Sequence, residues 1–303
     1  MDPIELIKTG RIKRYFRATK KLNVPRLVFH ITQRAAGKEP LFVEDSDYLF
    51  MLWLMKEMSA SHSLRMYAFC LMPNHTHFLM STTEQNLYDA MRDLFSRYAM
   101  RFNKKYERKG HLFGGPYRQA TCLDDSYLLA ASLYIHLNPV RAGLAADPLS
   151  YRWSSCRLYC TERDRQSFVD PNFVLSILPE DGGRKKRYKL LMKKGMELIS
   201  GHVLEKHDAI ENLRSQLAAD FPSVFALVAK ARRVAAQARI QVLSMEEIEE
   251  LTTEAKSGVR AASPESRKAK KFLIEQLIAR GYKRREIAEQ LGMSRKTVYN
   301  LSK

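Results

Sequence analysis

The chain of 303 residues is 45% hydrophobic and carries 51 Lys and Arg against 33 Asp and Glu, a formal charge of +18 with a pI of 9.8. That excess predicts a polyanionic partner, while the longest apolar run, Tyr48 to Met55, is far short of the roughly 20 residues of a membrane span and argues against a membrane protein. Four cysteines (Cys70, Cys122, Cys156, Cys160) without CxxC spacing exclude a disulfide scaffold, and the acidic opening Met1-Asp-Pro-Ile-Glu lacks a signal-peptide pattern, so a cytoplasmic location is expected.

From the N-terminus, Arg11 to Arg26 places seven cations, Arg14 and Arg17 among them, around Tyr15 and Phe16 with no acid. Such a segment can track a phosphate backbone and stack on bases. Residues 27 to 33 alternate with β-branched members and predict a strand. The dense apolar pattern from Asp45 to Met58 predicts a buried helix. Arg65 to Met72 and His75 to Met80 read as two strands separated by Pro73-Asn74, and Asn86 to Lys109 and Ser126 to Leu137 read as helices. On the first of these helices Tyr98, Phe102 and Tyr106 form an expected buried stripe. Arg97, Arg101 and Lys105 form an expected cationic ridge beside it. The order β-α-β-β-α, with more helix following, predicts an α+β fold in which an antiparallel sheet is covered by helices.

Breakpoints at Pro179-Glu-Asp-Gly-Gly and at Lys256 to Pro264 divide the chain into three expected units: 1–178, an all-α connector over 179–263, and 264–303. Their formal charges are unequal. Residues 1 to 160 carry +9, 161 to 263 carry +2 and 264 to 303 carry +7, which places cationic contacts at both ends. Within the last unit, Arg284 to Leu301 fits a helix-turn-helix: Ala288 is small where the helices cross, Gly292 permits a left-handed turn, and Ser294 can cap the second helix. Arg295, Lys296, Tyr299 and Asn300 then form its exposed face, suited to duplex DNA.

Two constellations carry chemistry. In a strand, His75 and His77 project from one face with Thr76 on the other, and two neutral imidazoles can bind one divalent metal if a third ligand joins them. The helix ahead of Pro139 is expected to end near Asn138; in it Tyr134 and Asn138 stand one turn apart on one face, a phenol beside a neutral oxygen ligand. Taken alone, each pattern is also met as ordinary paired histidines or a core tyrosine.

The motifs Tyr67-Ala-Phe-Cys-Leu-Met-Pro-Asn-His-Thr-His77, Gly110-His-Leu-Phe113, Tyr117-Arg118, Tyr127-Leu-Leu129, Tyr134-Ile-His-Leu-Asn-Pro-Val-Arg-Ala-Gly143 and Trp153-Ser-Ser155 occur in this order. The stretch of about residues 20 to 160 resembles the IS200-like tyrosine transposases, most of all their REP-associated branch. The resemblance implies an HUH nuclease of ferredoxin-like fold, with His75, His77 and Asn138 as ligands of magnesium or manganese and Tyr134 as nucleophile. It also implies cleavage and rejoining of single-stranded DNA beside hairpins through a 5′-phosphotyrosine. Where the family has Gln-x-Arg-Tyr this chain has Gly114-Gly-Pro-Tyr-Arg118, leaving Arg118 as a displaced DNA contact and Tyr117 as a fallback nucleophile. A homodimer, with the site built in one chain or across two, is compatible with this reading. The alternative is a sequence-specific DNA-binding regulator whose nuclease fold is inert.

Overall fold

The computed structural model describes residues 23–37, 39–122, 124–161, 167–199, 209–238 and 284–301, together with Thr253, Arg267, Lys270, Lys271, Leu273, Ile274 and Leu277. Most of the cationic segment, Arg14 and Arg17 included, lies outside the described residues, as does the expected linker before Pro264. One compact unit ends at Arg239 and a second starts at Ile240.

The larger unit is built on a four-stranded antiparallel sheet of β1 (Val28–Arg34), β2 (Leu64–Met72), β3 (His75–Thr82) and β4 (Arg118–Cys122), in the order β2-β3-β1-β4. β1 pairs with β3 so that Thr32 faces His77 and Arg34 faces His75, and with β4 so that Thr32 faces Arg118. Directly paired residues share a face, and alternation then sorts the whole sheet. His30, Thr32, Arg34, His75, His77 and Arg118 stand on one side; Ile31, Gln33, Thr76 and Phe78 stand on the other.

Two helices, α1 (Asp45–Ser61) and α2 (Leu87–Lys105), are assigned to the Phe78 side by ring contacts: Phe95 of α2 stacks on Phe78 at 6.1 Å, and Phe50 of α1 stacks near Tyr98 at 6.3 Å. The opposite side is covered by α3 (Asp125–Arg141), which is buried from Tyr127 to Pro139 and packs with Val28, Ala68, Cys70 and Leu79 of the sheet. Asp124 caps α3 by accepting from the Tyr127 amide at 2.7 Å. Its end differs from expectation: the helix runs through Pro139 to Arg141. A proline in the last turn removes one intrahelical bond, and the chain closes beyond it through Ala142 N–H to the Asn138 carbonyl and Leu144 N–H to the Pro139 carbonyl.

Two short helices, α4 (Cys156–Cys160) and α5 (Asn172–Leu175), lead to α6 (Arg184–Ile199), α7 (Ala209–Asp220), α8 (Pro222–Ala231) and α9 (Arg233–Ala238). These last four lie where a connector was expected, and they pack on α3 within one core: Tyr188, Leu191, Leu213, Leu217, Phe225, Val228 and Val234 join Leu129, Leu133 and Leu137. Gly195 lets α6 approach closely, since a Cβ there would lie 2.7 Å from Leu137 Cδ1. The buried carboxylate of Asp125 accepts from the amides of Arg233 and Val234, each at 2.8 Å, fastening α9 to the start of α3.

In the second unit, α10 (Arg284–Leu291) and α11 (Arg295–Leu301) pack Ile287, Ala288 and Leu291 against Val298 and Leu301, with Leu273, Ile274 and Leu277 completing the cluster. The connecting Gly292 has φ +62°, a conformation costly for residues with a Cβ. Ser294 accepts from the Thr297 amide at 3.0 Å, the expected cap.

Candidate functional site

The site forms where β1 and β3 meet the last turns of α3. His75 and His77 project from one face of β3 with ring centroids 4.9 Å apart and planes at 87°. Tyr134, 8% exposed, presents its ring edge-on to His77 at 5.8 Å. Asn138 follows one turn later, buried, with its Nδ2 donating to the Tyr134 carbonyl at 2.7 Å. That bond turns the amide nitrogen inward on the helix and leaves the carboxamide oxygen as the acceptor for a ligand. Thus the sequence-predicted His75, His77, Tyr134 and Asn138 lie on the adjoining surfaces of one strand and one helix.

Both imidazoles are held at their Nδ1 atoms. His75 Nδ1 lies 2.6 Å from Asn74 Oδ1, a carboxamide oxygen that can only accept, so His75 donates from Nδ1 and its Nε2 is the nitrogen left for a ligand. His77 Nδ1 lies 2.9 Å from His30 Nε2 and 3.3 Å from Thr32 Oγ1. The His30 ring stacks on His77 at 5.2 Å and meets Tyr134 at 6.1 Å. Burial first, then His75, His30, Arg34 and Arg141, push His77 well below the ordinary histidine range. It is therefore neutral at physiological pH, as a metal ligand must be.

His30 was not singled out from the sequence, although it sits in the strand Val28 to Arg34. Its signal was present in the alternation that places it on the same face as Thr32 and Arg34, but linking it to His77 required the β1–β3 register. Arg141, whose guanidinium carbon lies 4.7 Å from the centre of the Tyr134 ring, was quoted only as part of a motif.

The remaining predicted residues divide sharply. Arg118 is exposed and stands on the histidine side of the sheet, opposite Thr32 in register. Tyr117, the fallback nucleophile, is buried beside Phe95 at 6.3 Å, on the opposite side, and burial raises its phenol above the usual tyrosine range. Arg97, Arg101 and Lys105 also belong to that opposite side. Arg97 makes a two-pronged pair with Glu57, Arg101 lies over the Phe50 ring at 4.3 Å, and Lys105 bridges Glu44 and the buried Asp47. Arg101 is exposed, and Arg97 and Lys105 are half-buried. In the second unit Arg295, Lys296, Tyr299 and Asn300 are all exposed on α11, with the Arg284 guanidinium 5.2 Å from the Tyr299 ring centre.

The donor types suit a divalent ion loosely held: the imidazoles of His75 and His77 with the carboxamide oxygen of Asn138 would leave coordination positions for water and substrate. Among the described residues no group of three His, Cys, Asp or Glu side chains forms a cage that could hold a metal.

The sheet thus presents the paired histidines of β3 to a tyrosine on α3. Residues 23–138 match the family described as "Transposase IS200 like", and residues 265–303 match the "Homeodomain-like domain". These two stretches, 23–138 and 265–303, are therefore similar to an IS200-like transposase and to a homeodomain-like domain respectively. Among solved structures, one described as "Structure of the REP associates tyrosine transposase bound to a REP hairpin" is similar at a TM-score of 0.41 and 11% identity, over 46% of this chain and 82% of that one. No curated protein matches. Among the described residues no helix is long and apolar enough to cross a membrane.

Proposed function

We propose that the chain is a metal-dependent tyrosine transposase that nicks and rejoins single-stranded DNA beside a hairpin, with its C-terminal module binding duplex DNA. The observation that carries this reading is the convergence of Tyr134 on the His75 and His77 pair: a phenol 5.8 Å from an imidazole that is buried and neutral. A buried tyrosine serving packing alone has no need of two adjacent histidines whose Nδ1 atoms are both fixed.

His75, His77 and Asn138 would hold magnesium or manganese. Such an ion supplies charge withdrawal from the non-bridging oxygens of a phosphodiester. Tyr134 Oη attacks the phosphorus in line; the bond from phosphorus to the 3′-oxygen breaks, the phenol gives up its proton, and the departing 3′-oxygen gains one. The products are a 5′-phosphotyrosine and a free 3′-hydroxyl. Because the ester conserves the bond energy, attack by a second 3′-hydroxyl reverses the step and joins new ends.

The test uses end-labelled hairpin oligonucleotides drawn from the DNA flanking the gene, incubated with full-length protein and manganese. A covalent adduct resistant to denaturation is expected for the native chain and is expected to disappear in Tyr134→Phe. An adduct that persists in Tyr134→Phe overturns the assignment. Tight duplex binding without any adduct would instead identify a DNA-binding regulator.

A further inference from the structure

Arg141 occupies the last turn of α3, seven residues after Tyr134. Its guanidinium lies over the Tyr134 ring at 4.7 Å, and its Nε is buried without a hydrogen-bond partner among the described residues. Burial lowers its affinity for its proton, and the opposing influence comes from the Tyr134 phenol rather than from any carboxylate. A cation in the last helical turn is favoured by the helix dipole by about 0.3–1 kcal/mol. That explains its position in the helix but not its partial withdrawal from water, which is costly for a charge with no carboxylate paired to it among the described residues. Its surroundings add to the imbalance. Arg34 stands on the same side of the sheet opposite His75, and Arg34 and Arg141 both act on His77. A partly desolvated guanidinium with an uncommitted donor, set against the ring of the attacking group, is complementary to an anion that arrives with the substrate.

We propose that Arg141 is a catalytic residue that grips the non-bridging oxygens of the scissile phosphate and keeps hold of them in the phosphotyrosine. The inference rests on the transposase reading and assigns the site a substrate contact that the histidines and Asn138 do not provide. Stacking on Tyr134 fixes the guanidinium relative to the nucleophile, so one side chain positions both the attacking oxygen and the charge it attacks.

The experiment compares hairpin oligonucleotides whose mapped scissile linkage is a phosphodiester or a neutral methylphosphonate, with full-length native protein, Arg141→Met and Arg141→Lys. On the phosphodiester, Arg141→Met is expected to form adduct about 10²–10³-fold more slowly, the scale for losing one transition-state donor, with Arg141→Lys in between. On the methylphosphonate, which carries no charge for Arg141 to neutralise, Arg141→Met is expected to approach the native rate. A residue that merely packs against Tyr134 would slow both substrates alike. Equal slowing of both, or a native rate on the phosphodiester, overturns the proposal. Should Arg141→Met fail to fold, as judged by its melting, the same comparison in Arg141→Lys decides the matter. Absence of adduct in the native protein on the phosphodiester overturns the transposase reading itself, and so is distinguishable from failure of the Arg141 assignment.

Discussion

At the scale of single residues, the site depends on which nitrogen of each histidine carries the proton. His77 can offer Nε2 to a metal only if its proton sits on Nδ1, where His30 Nε2 at 2.9 Å is the acceptor. His30→Leu is therefore expected to weaken manganese binding about 10–100-fold, as outer partners of metal ligands commonly do, whereas His30→Gln, which retains an acceptor, should lose less. Manganese titration followed by electron paramagnetic resonance checks this; unchanged affinity in His30→Leu would show that His30 only packs. The other histidine of the Tyr-Ile-His-Leu-Asn motif, His136, has a different role. It is fully buried, with Nδ1 2.8 Å from the Tyr188 hydroxyl and Nε2 2.8 Å from Ser155 Oγ, which in turn accepts from the Phe69 amide. Burial lowers its pKa from 6.5 to about 3. The unfolded chain then binds the extra proton between these values, so stability is full above pH 6.5 and falls as the pH drops through that window, by at most about 1.4 kcal/mol per pH unit for this group. Urea unfolding followed by tryptophan fluorescence, which reports the larger unit because Trp53 and Trp153 both lie there, should show a shallower acid slope in His136→Gln. An unaltered slope would mean that His136 is not the titrating group.

At the scale of elements, α1 and α2 are fastened by Asp47, 3% exposed, which accepts from the Val43 and Glu44 amides, Lys105 Nζ and the Tyr106 hydroxyl. Burial alone would raise this carboxyl; the bonds from Lys105, Tyr106 and the two amides outweigh it and hold it below the usual range. Asp47→Ala would leave Lys105 and two amides without their shared acceptor, and is expected to destabilise the larger unit by about 3–5 kcal/mol, measurable as a reduced urea midpoint. A loss under about 1 kcal/mol would mean that water replaces the carboxylate. This clamp also pairs Lys105, read from helical spacing as part of a cationic ridge, with acids brought from Glu44 and Asp47, some sixty residues earlier. The strands and helices around the histidines were legible because their burial imposes a period of two or 3.6 on local sequence. The strand β4 was not, since Arg118-Gln-Ala-Thr-Cys122 is short, follows Gly114-Gly-Pro, and owes its extension to pairing with β1. The candidate site divides in the same way: the spacing of His75 with His77 and of Tyr134 with Asn138 is local, whereas the contributions of His30 and Arg141 arise from contacts between distant segments.

At the scale of the whole molecule, the residues read as a connector bear on where the larger unit ends. About ten buried apolar side chains from Tyr188 to Val234 share the core of α3, and at about 1.5–3 kcal/mol each their removal would forfeit roughly 15–30 kcal/mol, more than the 5–15 kcal/mol that typically holds a domain together. A fragment ending at Leu178 is therefore expected to be unfolded or insoluble, while one ending at Arg239 should melt cooperatively with near-native secondary structure by circular dichroism. A stable, soluble fragment ending at Leu178 would show that helices α6 to α9 are dispensable to the fold. The longer fragment then separates the two charged regions: without the exposed Arg295, Lys296, Tyr299 and Asn300, it should lose affinity for duplex DNA and much of the salt dependence of that binding, yet still form the Tyr134 adduct on a hairpin. Because the proposed chemistry uses only groups on β1, β3 and α3, loss of nicking in this fragment would mean that the C-terminal module delivers the substrate to Tyr134 rather than choosing where the protein binds.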